Sequence, residues 1–360
     1  MKRFVGHTLI TVLAGIILTG CAYDYAARDL REQSNGSRAL AIAFSNGIID
    51  NPARVTTKAA PALLSSHSSS MGVWGWQTTS GENAERLFNN QKVTFSALTG
   101  QWTYKPVKYW QMNSTYRFYA YAPHSDSTGV AATIDTTTHT MNFNGVTLRG
   151  DNTISAGVYT LPANFANVKD IDWMIDRTGQ SMAGINRAEV MFNMQHILAK
   201  ICLRVCRSAS AQPDSLLAIR IDSVKIGRFI AQGNFSQEPN GMPIAQAAEW
   251  TTVDTLPRYE ILSPHGVSVG DTAVYIIESL IIPQAIADDQ YIRVWYSIGA
   301  RGGYLSNMSH VQSLKNLFSS QHTHFDTGQN YIITAILGSD PITFNGGTLD
   351  WDSHILLNKM

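Results

Sequence analysis

The chain has 360 residues, 27 basic and 27 acidic side chains for a formal net charge of zero, and only 15% charged residues against 44% hydrophobic ones. Once a leader is set aside, that length carries two domains of ordinary size, and the balanced, low charge excludes the basic footprint that nucleic-acid binding needs. A composition rich in Thr, Gly and aromatics favours short twisted strands joined by polar turns over helix.

The amino terminus begins with Lys2 and Arg3, followed by an apolar run from Leu9 to Leu18 and then Leu18-Thr19-Gly20-Cys21. The run is too short for a bilayer, which takes roughly 20 apolar residues. It has the form of a secretory signal, residues 1–20, removed before Cys21, whose thiol then takes a lipid. A plain signal peptide with an incidental cysteine is the alternative, and both predict export. Ala22 to Arg38 is polar and mixed in charge, as a tether would be.

Ala39 to Phe44 alternates, with Leu40, Ile42 and Phe44 on one face, and predicts the first strand. Residues 45–70 hold Asn51-Pro52, Arg54, Lys58, Pro61 and a Ser/His cluster, and predict an exposed loop of the kind proteases cut. Strand patterns resume at Met71–Trp76, Val93–Phe95, Trp102–Tyr104 and Tyr116–Ala122, separated by turn residues such as Thr99-Gly100 and Pro123. That spacing predicts an all-β sandwich or barrel.

A polar, glycine-marked stretch from Gly179 to Gly184 predicts the join between one β-sandwich domain over 55–185 and another over 186–360. Beyond it, strand patterns cover Val190–Met194, Ile201–Val205, Ile219–Ile226, Thr272–Ile282, Tyr291–Ile298 and Tyr331–Leu337. Val190, Phe192 and Met194 are apolar at even positions, whereas Ile201, Leu203 and Val205 are apolar at odd ones. The phase flip predicts a bulge or a single helical turn between Gln195 and Lys200, and sets Cys202 and Cys206 on the face opposite the Ile/Leu/Val stripe. In a strand those two cysteines stand roughly 13 Å apart, beyond the roughly 7 Å limit for a disulfide. Ser309 to Gln312 resembles a capping box, with Val311, Leu314, Leu317 and Phe318 as the apolar stripe of a short covering helix.

Several patterns touch on chemistry. Gly266-Val267-Ser268-Val269-Gly270 fits the nucleophile-elbow pattern, but the following residues from Ala273 to Ile277 are strand-like where the elbow needs a helix. A β-turn is therefore expected. His322-Thr323-His324, with Asp326 beyond, lacks the third and fourth ligands of a metal shell. Asp170, Asp172, Asp176, Asp288 and Asp289 are glycosidase acids by residue type only and are expected to be solvated loop acids. Trp74, Trp76, Trp102 and Trp110 could stack on sugars, but in a sandwich they are expected to fill the core. The residues thus predict no catalytic group, metal or cofactor.

Five blocks in order, after the Cys21 segment, resemble the fimbrillin, or type V pilin, family of Bacteroidia. They are Trp102 to Pro106 with Tyr109-Trp110 and Tyr116 to Pro123, then Asp172-Trp173-Met174, then Val190 to Ile201, then Leu280 to Gln284, then Gly328 to Tyr331 with Ile342 to Phe344 and Trp351. Together they span nearly the whole mature chain. The resemblance implies an all-β protein of two transthyretin-like β-sandwich domains in tandem, non-enzymatic, serving as a structural subunit of cell-surface fimbriae in adhesion.

It further implies an assembly route. A lipidated precursor is held in the outer membrane, an arginine-specific protease removes the first strand, and a strand of a neighbouring subunit replaces it. In this chain Cys21 fits the lipid site, residues 21–54 the propeptide, Leu40, Ile42 and Phe44 the removable strand, and Arg54 the cleavage point. Ile342, Phe344, Leu349 and Trp351 fit a donor strand, with an ordinary final hairpin as the equal alternative. The runner-up function is an uncleaved lipid-anchored fimbrial anchor or glycan-binding surface lipoprotein, with a host glycan or protein as its partner. Cys202 and Cys206 are additions that the family pattern does not require.

Overall fold

The structure is a computed structural model, and it describes residues 40–48, 62–63, 68–125, 130–149, 170–177, 179–208, 218–237, 249–262, 266–300, 303–318, 322–338, 341–349 and 351. The chain divides into a unit of residues 1–40 and a unit of residues 41–360. Every strand described belongs to the second.

The protein is all-β. Its first strands are β1 Phe44–Ile48, β2 Ala62–Leu63, β3 Ser70–Thr79, β4 Glu85–Ser96, β5 Gln101–Thr103 and β6 Ser114–Ala122. They are followed by β7 Ala131–Ile134, β8 Met141–Thr147, β9 Met174–Asp176, β10 Gln180–Ala183, β11 Val190–His196 and β12 Ala199–Arg207. Next come β13 Ala218–Phe229, β14 Gln232–Ser236, β15 Trp250–Val253, β16 Tyr259–Leu262, β17 Val267–Ser268 and β18 Val274–Ile281. The last are β19 Gln284–Ala285, β20 Tyr291–Ala300, β21 Gly303–Ser313, β22 His324–Phe325, β23 Asn330–Leu337 and β24 Thr343–Leu349.

A nine-stranded sheet runs β2-β1-β11-β9-β6-β3-β4-β5, with β10 also on β6. Trp74, Trp76, Tyr119 and Tyr121 alternate along β3 and β6 and project from one face of it, as the two-residue period of a strand requires. They meet Met141, Phe143, Val146, Phe235 and Trp250 from a second sheet ordered β15-β14-β8-β7. The hairpin β14–β15 thus comes from the later half of the sequence and completes the sandwich of the earlier half.

One close approach in this core needs glycine. A Cβ on Gly72 would lie 2.1 Å from the Tyr121 ring, and that ring is pinned by a hydroxyl donating to Asn90 Oδ1 at 2.8 Å. Gly72→Ala is expected to cost about 1–3 kcal/mol by overpacking. A urea titration checks it: the midpoint should fall while the slope holds.

The second core lies between sheets β18-β12-β23-β24 and β16-β13-β20-β21. Ile201, Leu203 and Val205 of β12 and Tyr331, Ile333 and Leu337 of β23 face Ile219, Ile221, Val224 and Ile226 of β13 and Ile292 and Val294 of β20. Cys202 is absent from this cluster, is fully buried, and like Cys206 is a thiol rather than half of a disulfide.

Three expectations from the sequence change here. The first strand is Phe44–Ile48 rather than Ala39–Phe44: residues 40–43 lie outside the ladder, with the Ile42 amide bonded to Lys108 O, while Asn46 and Ile48 continue the inward row against β11. The phase flip is neither a bulge nor a helical turn: β11 ends at His196 in one sheet, Ile197 and Leu198 cross over, and β12 starts in another sheet. Ser309 to Gln312 is the end of β21, paired with β20, so the helix shrinks to Leu314–Phe318 with Ser313 Oγ accepting from the Asn316 amide at 3.4 Å.

Candidate functional site

The first strand sits at the side of the nine-stranded sheet. Phe44 to Ile48 pair in parallel with Val190 to Met194, while among the described residues the other edge of β1 is covered only by β2, at Gly47 and Ile48. Ile42, Phe44 and Ile48 are each 2% exposed, and Asn46 completes the inward row, with Nδ2 donating to Met71 Sδ at 3.1 Å. Ala43 is exposed, and Ser45 and Gly47 are half-buried. A strand whose alternate side chains are fully buried and whose outer side is paired over only two residues is held by burial as much as by its ladder.

Phe44 occupies the centre of a pocket of rings. Its centroid lies 5.5 Å from Phe88, 5.5 Å from Tyr104, 5.8 Å from Phe118 and 5.7 Å from Phe192. The segment before β1 is tied in by the Ile42 amide donating to Lys108 O at 2.9 Å and by Tyr104 Oη donating to Ile42 O at 2.8 Å. Burial pushes the Tyr104 phenol up to about 12, with the Lys108 backbone hydrogen bond opposing it, so the hydroxyl stays a donor. Val190 N donates to Ala43 O at 2.9 Å. Taking β1 away leaves the β11 edge from Val190 to Met194 without its ladder and opens the ring pocket, a combination that templates a replacement strand.

Of the strand residues predicted from sequence, Ile42 and Phe44 are both buried, Phe44 in the ring pocket, while Leu40 is only half-buried. Asn46 and Ile48 belong to the same row and were not singled out. The alternation carried through them, but Asn46-Gly47 reads as a turn in isolation. Cys21 and Arg54 lie outside the described residues, as do the signal segment and most of residues 21–54.

At the other end of the chain, β24 is the outer strand of its sheet and pairs antiparallel with β23 from Asn330↔Leu349 to Ile336↔Thr343. Ile342 is buried in the second core and Phe344 packs against it, while Leu349 is half-buried. Trp351 is 3% exposed in the first core, stacked on His196 at 4.1 Å, with Lys200 Nζ 4.6 Å above its ring. A groove of about 450 Å³ between β24 and the short helix is lined by Gln312, Leu317, Phe344 and Gly346.

Ser268 is exposed in β17, paired with Arg220 of β13, with no helix after it. His322 lies edge-on to Tyr331 at 5.2 Å and His324 is exposed. Among the described residues no group of three or more metal-ligating side chains is brought together. Trp74, Trp76 and Trp110 are buried, and Trp102 is half-buried against Phe95 at 5.3 Å.

Two of the acids expected in solvent are not there: Asp170 and Asp176 are buried. Asp170 accepts from the Arg149 amide at 2.9 Å, and Asp176 from the Gly179 and Asn193 amides and Gln180 Nε2. They hold backbone donors that the sheet leaves unpaired, a need that residue type alone does not announce.

A model of the fimbrillin-like family matches residues 54–351. Among solved structures, a fimbrial protein from Bacteroides vulgatus is 13% identical, with 86% of this chain and 99% of that chain covered and a TM-score of 0.53. A protein from Bacteroides uniformis assigned to cell adhesion is 16% identical, with 86% and 98% covered and a TM-score of 0.48. The first of these shares the fold. No curated protein matches the chain.

Proposed function

The chain belongs to the fimbrillin-like family, and from that premise we propose that it is a fimbrial subunit, exported as a lipoprotein and assembled by exchange of its first strand. It is a structural, non-enzymatic protein of the cell-surface fimbrium, and other fimbrial subunits are its partners. In this proposal Cys21 carries the lipid that holds the precursor in the outer membrane. An arginine-specific protease then cuts after Arg54, in the segment that separates β1 from β2 in sequence.

The observation that carries the proposal is the buried row of Ile42, Phe44 and Ile48 on and just before a strand whose outer side is paired with two-residue β2 only at Gly47 and Ile48 among the described residues. Burial of three such side chains contributes about 5–9 kcal/mol at about 1.5–3 kcal/mol each, on the scale of the whole stability of a domain. While the chain is intact, the strand is retained at the high effective concentration of an intramolecular segment. A cut between β1 and β2 removes that advantage, so a neighbour's strand can compete for the pocket. A donor needs apolar side chains at alternate positions, to meet the sites of Ile42, Phe44 and Ile48.

Of the carboxy-terminal donor candidates, Ile342 and Trp351 serve the subunit's own cores, with Phe344 and Leu349 on the strand between them. Withdrawing Ile342 or Trp351 would cost about 2–5 kcal/mol each. Their packing favours the ordinary final hairpin over the donor role for these four residues, and the stretch that follows Trp351, where Ile355 and Leu357 alternate, is the donor in this proposal.

Purified precursor treated with an arginine-specific protease tests the proposal by size-exclusion chromatography and electron microscopy. The cut chain is expected to form oligomers or filaments, whereas Arg54→Lys, which keeps the charge but not the cleavage specificity, stays monomeric. A cut chain that remains monomeric at high concentration, or an Arg54→Lys chain that polymerises equally, would overturn it.

A further inference from the structure

Behind the second sandwich core, on the opposite face of the four-stranded sheet, lies a buried cluster that the strand-exchange route does not use. Lys200 in β12 is directly opposite Asn330 in β23 in a parallel register. Neighbouring strands stand about 4.8 Å apart, and paired residues project from the same face. Lys200 is 3% exposed and Asn330 1% exposed. Lysine is almost never buried to this degree unless it is paired, and here Glu278 Oε1, from β18 on the other side of β12, lies 3.0 Å from Lys200 Nζ. Lys200 Nζ and Asn330 Nδ2 both donate to one acceptor, the Trp351 carbonyl oxygen, the latter at 3.3 Å. Amine and carboxamide are thus held side by side.

We propose that Lys200 and Asn330 are joined by an intramolecular isopeptide bond, formed in the folded chain with Glu278 as the proton carrier. The step balances without an oxidant or added reagent. Glu278 takes a proton from the Lys200 ammonium, and the neutral amine attacks Cγ of Asn330. The Nζ–Cγ bond forms and the Cγ–Nδ2 bond breaks. The two protons shed by Nζ pass through Glu278 to the departing nitrogen, which leaves as ammonium, and Glu278 returns to the carboxylate. The net change is the loss of one ammonia.

The surroundings suit each part of that step. Cys202 Sγ donates to Asn330 Oδ1 at 3.2 Å, where negative charge develops when the amine adds. Burial, opposed by the charge of Lys200, pushes the Cys202 thiol up to about 12, so the sulfur keeps its proton. The Trp351 ring lies over Nζ at 4.6 Å and His196 stacks behind it at 4.1 Å, which shields the reacting atoms from water. The carbonyl of Trp351 orients both nitrogens before the step and accepts from the new amide N–H after it. This preorganisation is what lets an unreactive carboxamide be attacked.

The bond has a mechanical consequence. β12 continues from β11 of the nine-stranded sheet, and β23 leads into β24 and Trp351. A Lys200–Asn330 link therefore carries tension between the nine-stranded sheet and the carboxy-terminal end through covalent bonds, where the ladder of the second sandwich would otherwise unzip. It does not depend on whether β1 is exchanged.

A tryptic digest of the folded, full-length chain tests the proposal by mass spectrometry. Peptide Ala188–Arg204, uncut at Lys200, is expected to be linked to peptide Asn316–Lys359, with a total mass about 17 Da below the sum of the two. Recovery of both peptides unlinked, with cleavage at Lys200, would overturn the bond, and the wild-type digest gives that answer without any variant. Glu278→Gln is expected to leave the peptides unlinked in chain that still folds by circular dichroism. Full linkage in folded Glu278→Gln would remove Glu278 from its role.

Discussion

Phe44→Ala is expected to destabilise the uncleaved chain by about 3–5 kcal/mol, the cost of emptying a large aromatic site in a core. Four rings close on Phe44; the backbone before it is held by Ile42 N donating to Lys108 O and Val190 N donating to Ala43 O, and the backbone after it by the ladder to β11, so the pocket cannot collapse onto the gap. Ala43→Ser, one residue away on the exposed face, is expected to stay within about 0.5 kcal/mol of the parent. Guanidinium titrations of the three precursors measure this directly. The Phe44→Ala chain should also take up a synthetic strand peptide more readily than the parent, because the resident strand then competes with less burial. Equal denaturation midpoints for Phe44→Ala and Ala43→Ser would mean that β1 is not held through this pocket.

The second large effect is expected at Arg177 and Glu249. Their side chains are 4% and 3% exposed and form a two-pronged pair, with Arg177 Nη2 donating to Glu249 Oε2 at 2.6 Å. The pair ties the end of β9 to the start of β15, and so fastens the β14–β15 hairpin onto the nine-stranded sheet. The Arg177 guanidinium also lies 5.8 Å from the Phe235 ring centroid. Glu249→Ala leaves the guanidinium buried without its carboxylate and is expected to cost about 3–5 kcal/mol. The double variant Arg177→Met, Glu249→Leu removes both charges and is expected to recover most of that loss. A double-mutant cycle by thermal or denaturant unfolding gives the coupling directly. Strictly additive single effects would show that the pair is not coupled. Because the pair is buried, the coupling should change little with added salt.

Much of this molecule is legible in its sequence for one physical reason: period-2 alternation survives wherever one face of a strand is buried and the other is not. Val190, Phe192 and Met194 illustrate it, and so do Ile201, Leu203 and Val205, whose opposite phase marks the change of sheet. Residue type also indicated that Trp74, Trp76 and Trp110 fill the core. What was not legible depends on partners far away in the chain. Asn46 and Ile48 extend the first strand only because β11, over 140 residues later, supplies a parallel neighbour at matching register. Ser309 to Gln312 has local helix-start chemistry that loses to the long ladder between β20 and β21. The buried Asp170 and Asp176 look like loop acids until the backbone amides they satisfy are seen.

The same limit applies to the Lys200 cluster. The Leu198-Ala199-Lys200-Ile201 block is conspicuous in sequence, yet neither Asn330 nor Glu278 is near it until three strands are laid side by side in register.

The most direct test of the central claim is the amino-terminal sequence of the protein recovered from assembled surface filaments. A start at Val55 is the predicted result, since it means that residues 21–54, with Ile42, Phe44 and Ile48, have been removed and their pocket has passed to another strand. Filaments built of chains that still begin at a lipidated Cys21 would contradict it.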